Sequence, residues 1–311
     1  MGGTTEATHT VRMSLPTATL GRTGATVTKL GYGAMELRAV PLDDPSAATM
    51  LNQVLDAGVN MIDTSPDYGL SEEHIGQAIS HRRDEFFLAS KCGCPVGDQV
   101  ATGPGRNPHV FTRENIRAGV EQSLRRMNTD RVDLVQFHIS PSPEMLAEHD
   151  AVDELVALRD EGKIRFLGMS GTLPNLPDQI AMGVFDAFQI PYSAVERDHE
   201  QLITEAAVAG AGTIIRGGVA RGLPEPDPAY PEQYRRAMEA RRERFAQTDL
   251  SDLLGDMTPM ELMLRFTISH PDLHTTIVGT KNPEHFAANV AAAEQGPLPT
   301  DVYEAMKQRL T

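Results

Sequence analysis

The sequence predicts a closed (β/α)8, or TIM, barrel with an N-terminal β-hairpin cap and long loops at the C-terminal rim. Three observations carry this. Short apolar strands alternate with helices eight times, which argues for parallel strands joined by helical crossovers. The alternation fills about 250 residues, the size of one such barrel. No break in composition divides the 311 residues, so the chain reads as a single domain over 1–311, with 1–16 as a disordered tail.

Each element follows from local pattern. Residues 19–29 read as a polar hairpin turning at Gly21 and Gly24. Residues 30–35 form a strand, 46–57 a helix, and 59–62 a strand that ends in Asp63. Residues 71–80 are helical, with Ser71 as N-cap and Glu72 and Glu73 at the positive end. Residues 85–90 form a strand ending in Lys91. Residues 92–110 are rich in Gly and Pro, lack a period and read as a long loop. Residues 112–127 are an amphipathic helix capped by Thr112, and 132–137 a strand ending in His138. Residues 143–161 read as one helix stopped by Gly162, followed by a strand over 164–169 ending in Ser170. Helix 176–182, strand 187–190 and helix 199–209 come next, then strand 213–215, which runs into Arg216, Gly217 and Gly218. Residues 223–256 are polar, with prolines first and a basic helical run after. Helix 259–268, strand 275–278, helix 283–293 and helix 300–310 complete the chain.

An open doubly wound sheet is the competing fold. A dinucleotide-binding sheet of that kind carries Gly-x-Gly-x-x-Gly after an early strand. The stretches beginning at Gly31 and Gly210 both lack the third glycine.

Composition narrows the function. A net charge of -15 spread along the chain lacks the basic footprint that nucleic acid requires. The absence of Trp argues against a carbohydrate-stacking surface. Residues 1–16 have no apolar core of a secretory signal, and Glu6 breaks the myristoylation pattern. No stretch approaches the length of a membrane-spanning helix. Cys92 and Cys94, the only cysteines, are poorly placed to pair with each other and read as reduced thiols of a cytoplasmic protein. No His/Asp/Glu cluster has metal-ligand spacing, so no metal is expected. Oligomeric state is not legible.

Asp63, Tyr68, Lys91 and His138 fall at or just after the ends of three successive strands. In a barrel those ends converge on one rim. The set contains no nucleophile and suits proton transfer beside a hydride left to a cofactor. A tyrosine can donate a proton to a carbonyl oxygen, and a neighbouring ammonium such as Lys91 would lower its pKa. Asp63 would keep Lys91 charged and oriented, and His138 would donate a hydrogen bond to the carbonyl.

Residues 58–76, with Gly58, Asp63, Thr64, Tyr68, Gly69, Ser71, Glu72 and Gly76, resemble the signature of the aldo-keto reductase family. The likeness runs from about Leu20 to Ala293. It implies an Asp63, Tyr68, Lys91, His138 catalytic tetrad and hydride transfer from NADPH to an aldehyde or ketone. The reverse oxidation of a sugar-like alcohol, a cofactor-loaded sensing or accessory barrel, and a barrel of other chemistry remain alternatives. Residues 167–171 resemble the family's nicotinamide-carboxamide motif, with Ser170 kept and Gly171 in place of asparagine. Gln189 resembles the glutamine of the same subsite. Gly33, Ala34 and Met35 at the end of the first strand are further implied contacts. Arg216 stands where the family usually has an aromatic, and either stacks on the nicotinamide or binds pyrophosphate. Gly217, Gly218 and Val219 follow it as backbone that phosphate can approach. Gly279, Thr280 and Lys281 resemble the grip on an adenosine 2′-phosphate ahead of a helix. His285 replaces the usual arginine or glutamine there, and Asn289 matches the adenine-binding asparagine. The pattern favours NADP(H) and leaves NAD(H) open. The expected partner is a small carbonyl compound.

Overall fold

A computed structural model describes residues 14–96, 108–219 and 232–310. Most of the expected tail, the middle of the expected loop after Lys91 and the proline-rich start of the segment after Val219 lie outside the described residues.

Ten strands are present among the described residues: β1 (Thr17–Thr19), β2 (Thr26–Thr28), β3 (Leu30–Gly33), β4 (Met61–Asp63), β5 (Phe87–Cys92), β6 (Val132–Phe137), β7 (Ile164–Ser170), β8 (Ala187–Pro191), β9 (Gly212–Arg216) and β10 (Thr275–Val278). β3 to β10 close into an eight-stranded barrel in chain order, with β10 paired to β3 and every pair parallel. β1 and β2 form a separate antiparallel hairpin. The expected (β/α)8 barrel and its hairpin cap are both observed.

The helices are α1 (Pro45–Asp56), α2 (Ser71–Ile79), α3 (Arg113–Arg126), α4 (Pro143–Glu148), α5 (Ala151–Asp160), α6 (Leu176–Ala181), α7 (Glu200–Val208), α8 (Glu232–Gln247), α9 (Ser251–Leu254), α10 (Pro259–Ile268), α11 (Pro283–Glu294) and α12 (Thr300–Arg309). Two departures from the sequence reading have local causes. The single helix expected over 143–161 is two, because Asp150 adopts a left-handed backbone (φ 48°) between α4 and α5. Ser71 is not the N-cap of α2 but its first residue; its hydroxyl donates to the Ala34 carbonyl at 3.0 Å and lies 2.8 Å from Thr64 Oγ1. It ties three loops together rather than finishing a helix. Thr112 does cap α3, accepting from Asn115 N.

The hairpin plugs one end of the barrel. Leu20 and Val27 join Met61, Phe87, Ala89, Leu134, Ala187 and Ile214 in one buried cluster. Gly21 makes the close approach possible: its φ is 47°, and a Cβ there would stand 2.2 Å from Gly212 N. The opposite, C-terminal mouth is left for polar side chains.

Candidate active site

Side chains alternate faces along a strand, so residues two apart share one. Met61 and Asp63 therefore share a face, as do Ala89 and Lys91, Leu134 and Gln136, and Ala187 and Gln189. The first of each pair belongs to the apolar cluster against the hairpin. The second is one inward step nearer the mouth, where the barrel interior turns polar. Lys91 Nζ donates to Asp63 Oδ2 at 2.7 Å and to the Thr64 carbonyl at 2.8 Å. Asp63 Oδ1 accepts from Gln136 Nε2 at 3.0 Å and from Gln189 Nε2 at 2.8 Å. Both members of the ion pair are buried, with side chains 0% and 2% exposed. Burial this deep requires a partner for each charged atom, and the arrangement supplies one.

Tyr68 reaches this pair from the loop between β4 and α2. The loop is folded by turns from Tyr68 N to the Ser65 carbonyl and from Ser71 N to the Tyr68 carbonyl. It lies against Arg38, whose carbonyl accepts from Leu70 N; a Cβ on Gly69 (φ 50°) would stand 2.3 Å from that oxygen. Lys91 Nζ lies 4.8 Å from the Tyr68 ring centroid. The His138 ring meets the Tyr68 ring edge-on, with centroids 6.1 Å apart. Thus the structure brings Asp63, Tyr68, Lys91 and His138 together at one mouth.

The electrostatics correct one expectation. Lys91 does pull the Tyr68 phenol toward ionisation, but burial is the larger effect, and Asp63 and Asp67 act with it, so the phenol is held above its ordinary value. Tyr68 therefore stays a neutral phenol at neutral pH. For Lys91, burial works against the ammonium but is outweighed by Asp63 and Tyr68, and its pKa is raised.

The residues expected to bind cofactor line the mouth from β7 round to β3, strands that neighbour one another in the barrel. Ser170 ends β7 and is buried. Gly171 has a packing reason to lack a side chain: a Cβ would stand 2.6 Å from Leu176 Cδ1 and 2.7 Å from Gln179 Oε1. Gln179 is itself fixed, donating to the Pro141 carbonyl and to Ser140. Gln189 spends its amide N–H on Asp63. Arg216 ends β9 and acts electrostatically on Tyr68. Gly217 has φ 74° and nothing within 4 Å of a notional Cβ, whereas Gly218 packs on Thr267 and Thr276 and Val219 is buried. Gly279 abuts Gly33, with Ala34 and Met35 in the 3-10 turn that follows. Thr280 accepts from Tyr32 Oη through its carbonyl at 2.7 Å. Lys281 and His285 are exposed at the start of α11, which Asn282 caps, and Asn289 lies half-buried on that helix.

Gln136 is a site residue that the sequence reading missed. Its signal was available: it is two residues before His138 and on the same face as an apolar barrel position. Asp67, Cys94 and His109 also gather at His138, whose Nδ1 is 3.1 Å from His109 Nε2 and 3.5 Å from Cys94 Sγ. Nothing in their spacing announces this.

Comparison with known proteins agrees with the geometry. The model of the Aldo/keto reductase family matches residues 29–310. The chain belongs to the aldo/keto reductase family. It is 27% identical over 299 residues to L-galactose dehydrogenase of Arabidopsis thaliana, covering 89% of this chain and 87% of that protein. It is 27% identical over 304 residues to the NADH-specific methylglyoxal reductase of Escherichia coli, covering 88% and 92%. An aldo-keto reductase from Bacillus halodurans, solved in its holo form, superposes with a TM-score of 0.78 at 27% identity, covering 96% of each chain. This aldo/keto reductase contains no helix, among its described residues, long and apolar enough to cross a membrane.

Proposed function

We propose that this protein is a cytoplasmic reductase that transfers a hydride from NADPH to the carbonyl carbon of a small aldehyde or ketone. The observation that carries the reading is the buried Asp63–Lys91 pair, with Lys91 Nζ 4.8 Å from the Tyr68 ring centroid and the His138 ring edge-on to the same phenol at 6.1 Å.

The rim fits a dinucleotide by its donor chemistry. In a chain of net charge -15, the mouth presents Arg216, Lys281 and the N-terminus of α11, and Gly217 leaves open the space that a Cβ would fill. Ser170 and Gln189 would hold the nicotinamide carboxamide, Arg216 and residues 217–219 the pyrophosphate, Lys281 and Thr280 the 2′-phosphate, and Asn289 the adenine. The coulombic pull of Arg216 on Tyr68 supports a role for it near the reacting end. When bound, the reduced nicotinamide supplies the hydride. As charge develops on the carbonyl oxygen, Tyr68 Oη gives up its proton to it. Lys91 stabilises the phenolate left behind, and Asp63 stabilises Lys91 in turn. His138 orients the carbonyl by a hydrogen bond. The raised pKa of Tyr68 keeps the proton in place until the oxygen demands it.

The reverse reaction, oxidation of a sugar-like alcohol, is the second reading, favoured by the relative named L-galactose dehydrogenase. NADH is the second cofactor, favoured by the relative named as NADH-specific.

The test is oxidation of NADPH, and separately NADH, with a panel of aldehydes, comparing the parent with Tyr68→Phe. Loss of a general acid should lower kcat about 10²–10⁴-fold while cofactor binding, followed by nicotinamide fluorescence, persists. If the parent binds NADPH but reduces and oxidises nothing in the panel, an accessory or sensing role replaces this reading.

A further inference from the structure

Four side chains from three loops point metal-binding atoms at one spot beside the tetrad. Asp67 comes from the loop before α2, Cys94 from the segment after β5, His109 from the segment before α3, and His138 from the end of β6. One ligand atom from each lies within 4.8 Å of the other three. Cys94 Sγ is 3.6 Å from His109 Nε2 and 3.5 Å from His138 Nδ1. The two imidazole nitrogens are 3.1 Å apart, and Asp67 Oδ2 is 3.5 Å from His138 Nδ1 and 3.9 Å from His109 Nε2. A tetrahedral zinc ion with bonds of about 2.0–2.3 Å separates its ligand atoms by about 3.3–3.6 Å. The observed edges bracket that spacing.

The surroundings hold these groups in place. Asn115, buried in α3, donates to the Cys94 carbonyl at 3.0 Å and to the Val110 carbonyl at 2.8 Å, and Val110 N donates to the Gly93 carbonyl. Both ends of the segment that carries Cys94 and His109 are therefore pinned to the same residue. Ser65 Oγ donates to Asp67 Oδ1 at 2.6 Å, leaving Oδ2 for the cluster. Ligands braced by outer hydrogen bonds are the pattern of built metal sites. One thiol, two imidazoles and one carboxylate suit Zn2+ rather than a hard cation. A reactive free thiol is a poorer account of Cys94, since burial and Asp67 push its pKa up to about 12.

We propose that Asp67 Oδ2, Cys94 Sγ, His109 Nε2 and His138 Nδ1 bind one Zn2+, and that filling this site fixes the His138 ring through Nδ1, so that the ring can no longer turn its remaining N–H to a carbonyl, and stops turnover. Zinc displaces the thiol proton to solvent, and the thiolate and carboxylate together neutralise the ion. Four protein ligands leave no open position for a carbonyl, so the ion does not act as a Lewis acid on substrate. The binding half stands on geometry alone; the inhibitory half rests on the reductase reading.

The test uses tag-free full-length protein stripped with a chelator and titrated with Co2+. One equivalent should give a sulfur-to-cobalt charge-transfer band and the strong d–d bands of tetrahedral cobalt, both removed by added Zn2+. Cys94→Ala should lose the sulfur band, His109→Gln should bind more weakly, and Cys92→Ala should keep the band. Zn2+ should abolish NADPH-dependent aldehyde reduction by the parent, a chelator should restore it, and Cys94→Ala should lose the inhibition. Absence of the sulfur band, its survival in Cys94→Ala, or full turnover at saturating Zn2+ overturns the proposal. If the parent reduces nothing, the reductase reading fails while the cobalt spectra still decide the site.

Discussion

Replacing Lys91 with methionine separates what the Asp63–Lys91 pair does for the fold from what it does for the reaction. The two charges are in contact at 2.7 Å with almost no solvent access. At an effective dielectric of about 20 their attraction is about 6 kcal/mol, against a desolvation cost of similar size. Methionine fills most of the volume but strands Asp63 Oδ2, whose hydrogen bond in the structure comes from Lys91. Oδ1 keeps its two amide donors from Gln136 and Gln189. The loss should therefore fall near the lower end of the range for breaking a buried pair, about 3 kcal/mol. For a chain of this size that is a fall in Tm of about 5 °C. Asp63→Asn combined with Lys91→Met removes both charges and should recover to within about 1 kcal/mol of the parent. The assay is unfolding followed by circular dichroism on all four members of the cycle. The double variant should be stable yet inactive, because no ammonium remains to stabilise the phenolate that would form when Tyr68 gives up its proton. A single Lys91→Met as stable as the parent, or a double variant no better than the single, would refute the reasoning.

Glu72 offers a pH test. It is buried in α2, and burial raises its pKa, only partly offset by Ser90 and by the Arg126 guanidinium at 3.4 Å. The folded chain thus holds a proton that the unfolded chain has already released, so Glu72 favours folding below the ordinary glutamate value of about 4.3. That contribution is lost as pH rises through the folded value. Glu72→Gln should therefore gain Tm relative to the parent as pH is raised from about 4 toward neutrality, and parallel Tm curves would rule this out. Lys281 tests cofactor choice: Lys281→Met should raise KM for NADPH about tenfold and leave KM for NADH unchanged, given an exposed charge-assisted contact. Equal changes for both cofactors would remove Lys281 from the 2′-phosphate.

Most of the fold was legible because a parallel barrel writes itself as repeated apolar runs ending in punctuation. The runs that end in Asp63, Lys91, His138 and Ser170 are β4, β5, β6 and β7, and their shared direction puts those residues at one mouth. What failed was tertiary. Ser71 has the residue type of a cap, but a buried hydroxyl bonded to Ala34 and Thr64 satisfies it better. The turn at Asp150 has no glycine to betray it. The pKa of Tyr68 could not follow from knowing that Lys91 is near, because burial, which sequence does not show, is the larger effect. Gly171 reads as a lost amide contact, while its cause is the space taken by Leu176 and Gln179. Asp67 comes from one connection and Cys94 and His109 from another, with no common period, so only the closed barrel brings them to His138.

The site is built by a change of character along each inward stripe. Met61, Ala89, Leu134 and Ala187 pack apolar against the hairpin, and one inward step later Lys91, Gln136 and Gln189 all donate to Asp63. A charged cluster at that depth is tolerable only if its donors are fixed before any substrate arrives, and strands fix them better than loops do. Gly168 makes the room: a Cβ there would stand 2.8 Å from Gln136 Cγ. The groups that would meet substrate, Tyr68 and His138, instead sit on loops over this rigid base. Loop chemistry can then vary, as the zinc-ligating set around His138 would have it, without disturbing the ion pair. Substitution at Asp63 or Lys91 should therefore register in stability as well as turnover, whereas substitution at Tyr68, Cys94 or His109 should register mainly in what the site binds and how fast it reacts.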